Sequence, residues 1–473
     1  MRYRIEKDLL GQRQVPAEAY YGIETLRGKE NFEITKRGIC RQMIKALAIV
    51  KKAAAKANVD ALNIDEKVGK AIMLACDEIL NGRLHGQFVT DLIQGGAGTS
   101  MNMNANEVIA NRANELLGGK KGVYDFVHPN DHVNFGQSTN DVIQTAGKIA
   151  IVKQLKKLQV ELKKLYNAYL NKATEFKDVI KMGRTHLQEA LPLRLGQEFS
   201  AYASALNRDM KRIDVAIEAL LEVNMGATAI GTSLNANEKY RKKVIYYLNK
   251  FSGEQIKPAK DLIDATRNFD TFGQASSTLK LLALNLSKTA SDLRLMASSG
   301  SNGFSEITLP HVQPGSSIMP GKYNPVVPEM VNQVCFYVIG LDVTITKAIE
   351  AGQLELNVFG PIILMSLFEQ ITTLRRATRT FHNLAISGLI ANTTKYKTDN
   401  SIYLITALSP HLGHEEACNV VNEAISSEKT IKQVLLDHHI LSEEIINIVL
   451  DESNMTNPGI ALENILKEKK EQE

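Results

Sequence analysis

The chain has 473 residues, 44% hydrophobic and 23% charged, which is enough for a large apolar core and about two to four domains. Its 56 basic and 52 acidic residues leave a net charge of +4 without a basic block, so nucleic acid is not an expected partner. The N-terminus lacks the apolar core of a signal peptide, and no apolar run reaches the roughly 18 residues of a spanning helix. We therefore expect no membrane partner. Four scattered cysteines suit a reducing compartment, and we expect a cytoplasmic protein.

The first part of the chain, residues 1–140, is predicted to form a mixed N-terminal domain. Residues 67–82 have the apolar spacing of a short amphipathic helix. Residues 8–28, by contrast, predict turns and irregular structure, because glycine, proline and polar residues interrupt any periodic pattern.

Long helices are predicted for the middle of the chain, where proline is sparse. Residues 142–178 read as one helix whose apolar residues are separated alternately by four and three positions: Ile151, Leu155, Leu158, Leu162, Leu165 and Tyr169. Further long helices are predicted over 195–222, 264–299 and 329–391, the last broken near Gly352 and Gly360. Helices of this length must pack side by side, and apolar faces on more than one side favour a homo-oligomer.

The fold class expected from these patterns is mainly α, with three domains and a central long-helix bundle that assembles into a multi-subunit helical core. The domains are predicted at 1–140, 141–391 and 392–473. Residues 390–403 read as a polar linker, and residues 404–473 read as short helices that end in a charged tail.

Two polar segments in the first part of the chain are candidates for anion binding. Gly95, Gly96 and Gly98 lead into Thr99 at a predicted helix start, where exposed N–H groups attract anions. The alternative is an ordinary glycine-rich turn. Residues 138–141 (STND) supply more short polar side chains than one helix cap needs, and the surplus can donate to a carboxylate. A metal pair at His128 and His132 is disfavoured, because Pro129 interrupts any helix between them.

Two later segments carry further candidate residues. His186 lies in a connection between long helices, residues 181–199, although a lone histidine is more often structural. Residues 312–329 predict a mobile loop containing Ser316, Ser317, Lys322 and Asn324, followed by a helix from about Glu329. Lys322 suits carboxylate binding better than Schiff-base chemistry, because its surroundings are rich in glycine and proline.

The segments together contain hydroxyls, amides, one histidine and one lysine, without a hydrolase elbow, a nucleotide-binding loop or a metal cluster. The histidines at 411, 414, 438 and 439 fit a solvated helix face better than a metal site. This inventory predicts binding of a small dianion and movement of a proton.

The motif GSSIMPGKYNP (315–325) resembles the signature loop of the fumarase/aspartase superfamily. Similar likenesses lie at residues 4–34, 95–113, 137–141, 183–199, 409–417 and 454–459, so the resemblance covers essentially the whole chain. NPVVPEMVNQV, which begins at Asn324, resembles the aspartase branch, whereas fumarases more usually continue NPTQ.

The resemblance implies three domains, a homotetramer and active sites shared among three subunits. It also implies a small dicarboxylate substrate and no organic cofactor, and the residue pattern itself predicts no metal site. The implied reaction is the reversible anti elimination of ammonia from L-aspartate to give fumarate. Class II fumarate hydratase and a non-catalytic structural member of the superfamily are the alternatives.

Residue roles follow from the same resemblance. Ser316 is the expected base, acting as an alkoxide. Residues expected to hold the β-carboxylate are Thr99, Ser138, Thr139 and Ser317. Lys322 and Asn324 are expected to hold the α-carboxylate, and Asn140 and His186 to lie near the amino group. At position 323 the family usually has valine, whereas this chain has tyrosine. The motif does not explain the role of this tyrosine.

Overall fold

The computed structural model describes residues 2–299, 303–393 and 401–464. The protein is mainly α-helical, as predicted. The α-helices of the described residues, numbered in chain order, are Ile23–Asn31 (α1), Arg41–Asp60 (α2), Glu66–Leu80 (α3), Thr99–Leu116 (α4), Thr139–Glu175 (α5), Leu195–Leu220 (α6), Glu238–Ser252 (α7), Leu262–Arg267 (α8), Asp270–Met296 (α9), Val326–Glu350 (α10), Gly360–Phe381 (α11), Ile405–Leu412 (α12), His414–Ser427 (α13), Ile431–Asp437 (α14), Glu443–Val449 (α15) and Glu452–Met455 (α16).

The strands of the described residues form two-stranded sheets only. They are Tyr3–Asp8 (β1), Gly11–Pro16 (β2), Ile180–Thr185 (β3), Gln188–Arg194 (β4), Glu222–Val223 (β5), Lys257–Pro258 (β6), Ile307–Thr308 (β7) and Ile390–Ala391 (β8). The pairs β1–β2, β3–β4 and β7–β8 are antiparallel, and β5–β6 is parallel.

The chain divides into two compact units. The first comprises Met1–Glu161, Asp209–Leu284 and Gln333–Ala377, and the second comprises Leu162–Arg208, Asn285–Asn332 and Thr378–Glu473. The division into domains at 140/141 and 391/392 stays a prediction.

The long helices agree closely with the apolar spacing in the sequence. The six apolar residues that predicted α5 are each at most 1% exposed. The helix predicted over 264–299 is instead two helices, α8 and α9, because Asn268 between them has an extended backbone. The break predicted near Gly352 and Gly360 separates α10 from α11, and α10 begins at Val326 rather than at Glu329.

The prediction of irregular structure over residues 8–28 was wrong. The segment contains the end of β1, all of β2 and most of α1. Arg4 holds the hairpin to the following turn, since its guanidinium donates to the carbonyls of Pro16, Ala19 and Tyr21 at 2.8–2.9 Å. These strands are largely polar and exposed, so their stability comes from side-chain hydrogen bonds that apolar periodicity does not reveal.

Helix α1 is attached to α4 through Glu107. The Glu107 side chain is 2% exposed and accepts the backbone N–H groups of Gly22, Glu24 and Thr25 at 2.8–3.1 Å. The Thr25 hydroxyl also donates to it, at 2.5 Å. Burial raises the pKa of Glu107 to about 7, while these hydrogen bonds act in the opposite direction. A side chain of α4 therefore binds the amino end of α1.

The C-terminal segment forms the short helices that were predicted, α12–α16, around an apolar core that includes Leu408, Val434 and Ile446. Residues 394–400 of the predicted linker at 390–403, and the charged tail after residue 464, lie outside the described residues. Within the described residues, α10 alone is long and apolar enough to cross a membrane, with a mean hydropathy of 1.3. Core helices of globular proteins satisfy the same criteria.

Candidate active site

Thr99 begins α4, directly after a glycine-rich turn. Gly98 and Ala97 have positive φ angles of 94° and 57°, a left-handed backbone that brings the chain sharply into the helix. The Thr99 side chain is exposed, and its hydroxyl donates to the Gly96 carbonyl at 2.7 Å. The amino end of a long helix and a hydroxyl are thus presented together, and the hydroxyl can donate to an anion once its proton turns away from the Gly96 carbonyl.

Ser138, Thr139 and Asn140 lie at the amino end of α5. The Ser138 hydroxyl accepts the Asn140 N–H at 3.2 Å, and the Thr139 hydroxyl accepts the Asn102 amide at 3.4 Å. The Asn140 amide donates to the Ala229 carbonyl at 2.6 Å, so one of its two N–H groups already has a partner. The buried Asp141 carboxylate accepts the N–H groups of Ser138, Gly226 and Thr228, which ties this segment to the turn after β5.

An open pocket of about 770 Å³ lies over this helix end. Ser138 and Thr139 line it together with Asn134, Thr228 and Asn235. The pocket therefore brings together two of the predicted carboxylate donors beside the amino end of α5.

A buried cation supports the segment before Ser138. Lys51 on α2 is 0% exposed and donates to the side-chain oxygens of Asn134 and Gln137 at 2.8 and 3.0 Å. Asn134 also accepts the amides of Asn102 and Asn106 at 3.2 Å. Burial lowers the pKa of Lys51 to about 7, although the attraction of Asp141 raises it. The sequence did not single out Lys51, because it lies within an alanine- and lysine-rich helical pattern.

The segment at 181–199 connects the long helices α5 and α6, as predicted, and it has regular structure. It forms the hairpin β3–β4 and the start of α6, and His186 occupies the hairpin tip. His186 and Leu187, the two residues between the strands, have positive φ angles of 54° and 63°. Two-residue turns of this kind usually contain Asn and Gly, so a histidine and a leucine there hold a strained backbone. The exposed His186 ring is therefore presented at the tip of a strained turn.

The base of this hairpin carries a buried ion cluster. Glu306 pairs with Lys181 at 2.5 Å and with Arg184. Lys181 also pairs with Glu198 at 3.1 Å, and the Arg184 guanidinium lies over the Phe304 ring. Because Glu306 immediately precedes β7, the cluster fixes the hairpin to the strand that leads towards the serine loop, residues 312–322.

The serine loop is closed at its base by backbone and side-chain hydrogen bonds. The Gly315 N–H donates to the Lys322 carbonyl at 2.8 Å, and the Asn324 amide donates to the Gly315 carbonyl at 2.8 Å. A Cβ atom at Gly315 would lie 2.5 Å from the Lys322 carbonyl oxygen, so only glycine fits this crossing. Asn324 thus has a positioning contact within the loop in addition to its predicted role.

Ser316 is partly buried, whereas Ser317 and Lys322 are exposed. The Ser316 hydroxyl oxygen accepts the backbone N–H of Ile318 at 3.3 Å. A hydrogen bond to the oxygen favours its ionised form, which is the form that a serine base requires. Lys322 and Asn324 line a separate pocket of about 500 Å³ in this unit.

The nine predicted site residues fall into two groups. The first unit contains Thr99, Ser138, Thr139 and Asn140. The second unit contains His186, Ser316, Ser317, Lys322 and Asn324. Their roles toward substrate stay a prediction.

The histidine pair considered for metal binding makes local contacts instead. The His128 ring accepts the N–H groups of Asn130 and Asp131, and the His132 ring accepts the His128 N–H. Among residues 2–299, 303–393 and 401–464, no group of three His, Cys, Asp or Glu side chains is arranged to hold a metal ion.

The family profiles and the related proteins that match this chain agree with one another along its length. The family profile described as Lyase matches residues 11–340, and the profile described as Fumarase C C-terminus matches residues 404–457. The aspartate ammonia-lyase of Bacillus subtilis (strain 168) is 51% identical over 467 residues, which cover 98% of each chain.

Two solved structures have the same fold over nearly the whole chain. A fumarate lyase:delta crystallin from Brucella melitensis bound to cobalt has a TM-score of 0.94 at 45% identity. The class II fumarase from Schistosoma mansoni has a TM-score of 0.94 at 34% identity. Each alignment covers 97% of this chain and 100% of the other chain. The chain therefore belongs to the fumarase/aspartase superfamily of lyases, within which it groups with the aspartate ammonia-lyases.

Proposed function

We propose that the protein is a carbon–nitrogen lyase that converts L-aspartate reversibly to fumarate and ammonia, with Ser316 as the base. The observation that carries this proposal is the environment of Ser316. Its oxygen accepts a backbone N–H on a loop that also presents Lys322, in a chain 51% identical to an aspartate ammonia-lyase.

The elimination has two steps. The Ser316 alkoxide removes a proton from the carbon next to the β-carboxylate, and the electron pair moves into that carboxylate to form a dianionic enediolate. The pair then returns to form the carbon–carbon double bond, and the carbon–nitrogen bond breaks with release of ammonia. Anti geometry requires the base and the leaving amino group to lie on opposite faces of the substrate.

Negative charge grows on the β-carboxylate in the transition state. Thr99, Ser138, Thr139 and Ser317 are the proposed donors to it, and the amino ends of α4 and α5 add their positive dipoles. Donors that strengthen as charge develops raise the rate rather than only the affinity. Removal of one such donor typically lowers kcat about 10²–10³-fold.

The remaining contacts orient the substrate. Lys322 and Asn324 are proposed to hold the α-carboxylate, and Asn140 and His186 to lie near the amino group. The Lys322 ammonium also favours the ionised form of a neighbouring hydroxyl, because opposite charges attract. Exclusion of water by the loop would strengthen these interactions.

We further propose a homotetramer whose active sites combine residues from three subunits. Support comes from the long helices, which leave large apolar side chains uncovered: Val160, Val215, Leu281, Leu284, Phe336 and Val343 are 40–62% exposed. Burial of such residues against copies of the same chain is favourable, and closed symmetry is the usual form. We place the protein in the cytoplasm, as its cysteine pattern suggests.

The test is the absorbance of fumarate after addition of L-aspartate or L-malate to separate samples of the purified protein. We expect a signal from L-aspartate that Ser316→Ala abolishes. A signal from L-malate alone would reassign the protein as a fumarate hydratase. Absence of a signal with every four-carbon dicarboxylate tested would instead indicate a structural member of the superfamily.

A further inference from the structure

Two aromatic rings face each other across the ends of the serine loop. His311 lies immediately before the loop, and Tyr323 lies immediately after it. Their ring centroids are 3.6 Å apart and their planes differ by 5°, so the rings are stacked in parallel. Tyr323 is also the residue that departs from the family pattern.

The stack lies next to the hydrogen bonds that close the loop. The Gly315–Lys322 and Asn324–Gly315 bonds join the two chain segments through the residues on either side of Tyr323. Both rings also line the 500 Å³ pocket that contains Lys322 and Asn324. Beyond these contacts the loop is solvated, with Ile318 84% and Met319 47% exposed.

In this arrangement, the contacts at the base of the serine loop determine the position of the whole loop. Exposed residues such as Ile318 supply little packing that could hold Ser316 in place. The orientation of Ser316 therefore depends on contacts between residues 311–315 and 322–324. Tyr323 is 48% exposed, so its ring contributes through the stack more than through burial in a core.

We propose that the His311–Tyr323 stack is a clasp that holds the base of the serine loop closed and thereby positions Ser316 and Lys322 for the elimination. His311 and Tyr323 are positioning residues in this proposal, and neither touches the reacting atoms. The kinetic part of the proposal rests on the proposed function, whereas the closure of the loop does not.

The expected size of the effect follows from the strength of aromatic pairs. Loss of an offset or edge-to-face pair shifts an equilibrium between closed and open loops about 2- to 12-fold, and a face-to-face pair such as this one belongs at the lower end of that range. Tyr323→Val removes the stack and keeps an apolar side chain of the size that the family usually has. Tyr323→Phe keeps the ring and removes only the hydroxyl, and it is the matched control.

The first measurement is hydrogen exchange of the full-length protein, followed on peptides that span residues 312–324. We expect exchange in Tyr323→Val to be several-fold faster than in Tyr323→Phe, since the aromatic pair is lost. His311→Ala should give the same increase. The double variant should exchange no faster than either single variant, because each single substitution already breaks the same contact.

The second measurement is steady-state kinetics with L-aspartate. We expect kcat of Tyr323→Val to fall about 2- to 5-fold and KM to change less than about twofold, because the clasp orients the base more than it binds substrate. Tyr323→Phe should retain the original kcat. Circular dichroism and thermal unfolding verify that each variant is folded.

Equal exchange and equal kcat in Tyr323→Val and Tyr323→Phe would overturn the proposal. Additive effects of His311→Ala and Tyr323→Val would also overturn it, since independent residues do not form a clasp. If the original protein fails to convert L-aspartate, the proposed function fails, and hydrogen exchange still decides whether the clasp exists.

Discussion

A serine hydroxyl in water is neutral and too weak a base for this reaction. The proposed role of Ser316 therefore depends on whether its surroundings stabilise the alkoxide. The backbone N–H of Ile318 already donates to its oxygen, and Lys322 adds a positive charge on the same loop. General-base catalysis contributes about 10²–10⁴-fold to a rate. We expect Ser316→Ala to lower kcat by at least this factor, measured from fumarate absorbance. Near-normal turnover in a variant that keeps its secondary structure and oligomeric state would refute the assignment.

The protonation of Lys51 should couple directly to stability. An unfolded chain keeps the Lys51 proton up to a pKa of 10.5, whereas the folded protein releases it near pKa 7, because burial disfavours the charge. Between these values the unfolded state binds more protons. The free energy of unfolding therefore rises with pH over this range, by at most about 1.4 kcal/mol per pH unit.

Lys51→Met removes this titration. We expect the stability difference, original protein minus variant, to grow between pH 7 and pH 9 in thermal or chemical unfolding. Lys52→Met is the control, because it removes a lysine from α2 without touching Asn134 or Gln137. A difference that stays constant with pH would show that Lys51 does not titrate in this range.

Single residues also show where the sequence was informative about the site. Ser316 and Lys322 were identified because a dense motif surrounds them. Lys51 and Glu306 were not identified from the sequence, because a buried charged residue in a helix or before a short strand cannot be distinguished there from an exposed one. Tyr323 could be seen as unusual, but its partner His311 was visible only in three dimensions.

At the scale of secondary-structure elements, the β3–β4 hairpin depends on the charges at its base. Glu306 is 5% exposed at its side chain and neutralises two cations. Glu306→Gln leaves Lys181 and Arg184 with less compensation, and removal of one buried partner costs about 3 kcal/mol. We expect a matching loss in the free energy of unfolding, measured by chemical denaturation.

The control for this substitution is Glu350→Gln. Glu350 is 67% exposed and pairs with Lys347, which is 73% exposed, on the surface of α10, where an ion pair contributes little to stability. A Glu306→Gln loss no larger than that of Glu350→Gln would contradict the importance of the cluster.

Secondary-structure elements could be predicted from the sequence where the spacing of apolar residues determines them. The four long helical segments appeared because each must bury one face, and that need fixes the spacing of its apolar residues. The hairpins β1–β2 and β3–β4 were missed for the opposite reason. The strands of β1–β2 are mostly polar, and those of β3–β4 have about as many polar as apolar residues. Arg4 and Glu306 hold these hairpins through contacts with residues that are distant in the sequence.

For the whole molecule, the proposed sharing of active sites predicts complementation between inactive chains. Thr99→Ala and Ser316→Ala alter different units of the chain. If each site takes these residues from different subunits, tetramers reassembled from an equal mixture contain both intact residues at about one quarter of their sites. We expect activity to rise toward that fraction after dissociation and reassembly.

Light scattering provides the companion measurement, since a tetramer has four times the mass of the 52.3 kDa chain. Each variant measured alone is the control for residual activity. A mixture no more active than the mean of the two separate variants would indicate that Thr99 and Ser316 act within one chain.

The attachment of α1 to Glu107 has a consequence for the order of folding. The hydrogen bonds from Gly22, Glu24 and Thr25 connect residues 82–85 positions apart, so they cannot form until α4 exists as a helix. Contacts this distant in sequence form late, because the intervening chain must first lose its freedom. We therefore expect the first thirty residues to dock after α2, α3 and α4 have assembled. During synthesis, this segment would then leave the ribosome before α2, α3 and α4 and still reach its final place after them.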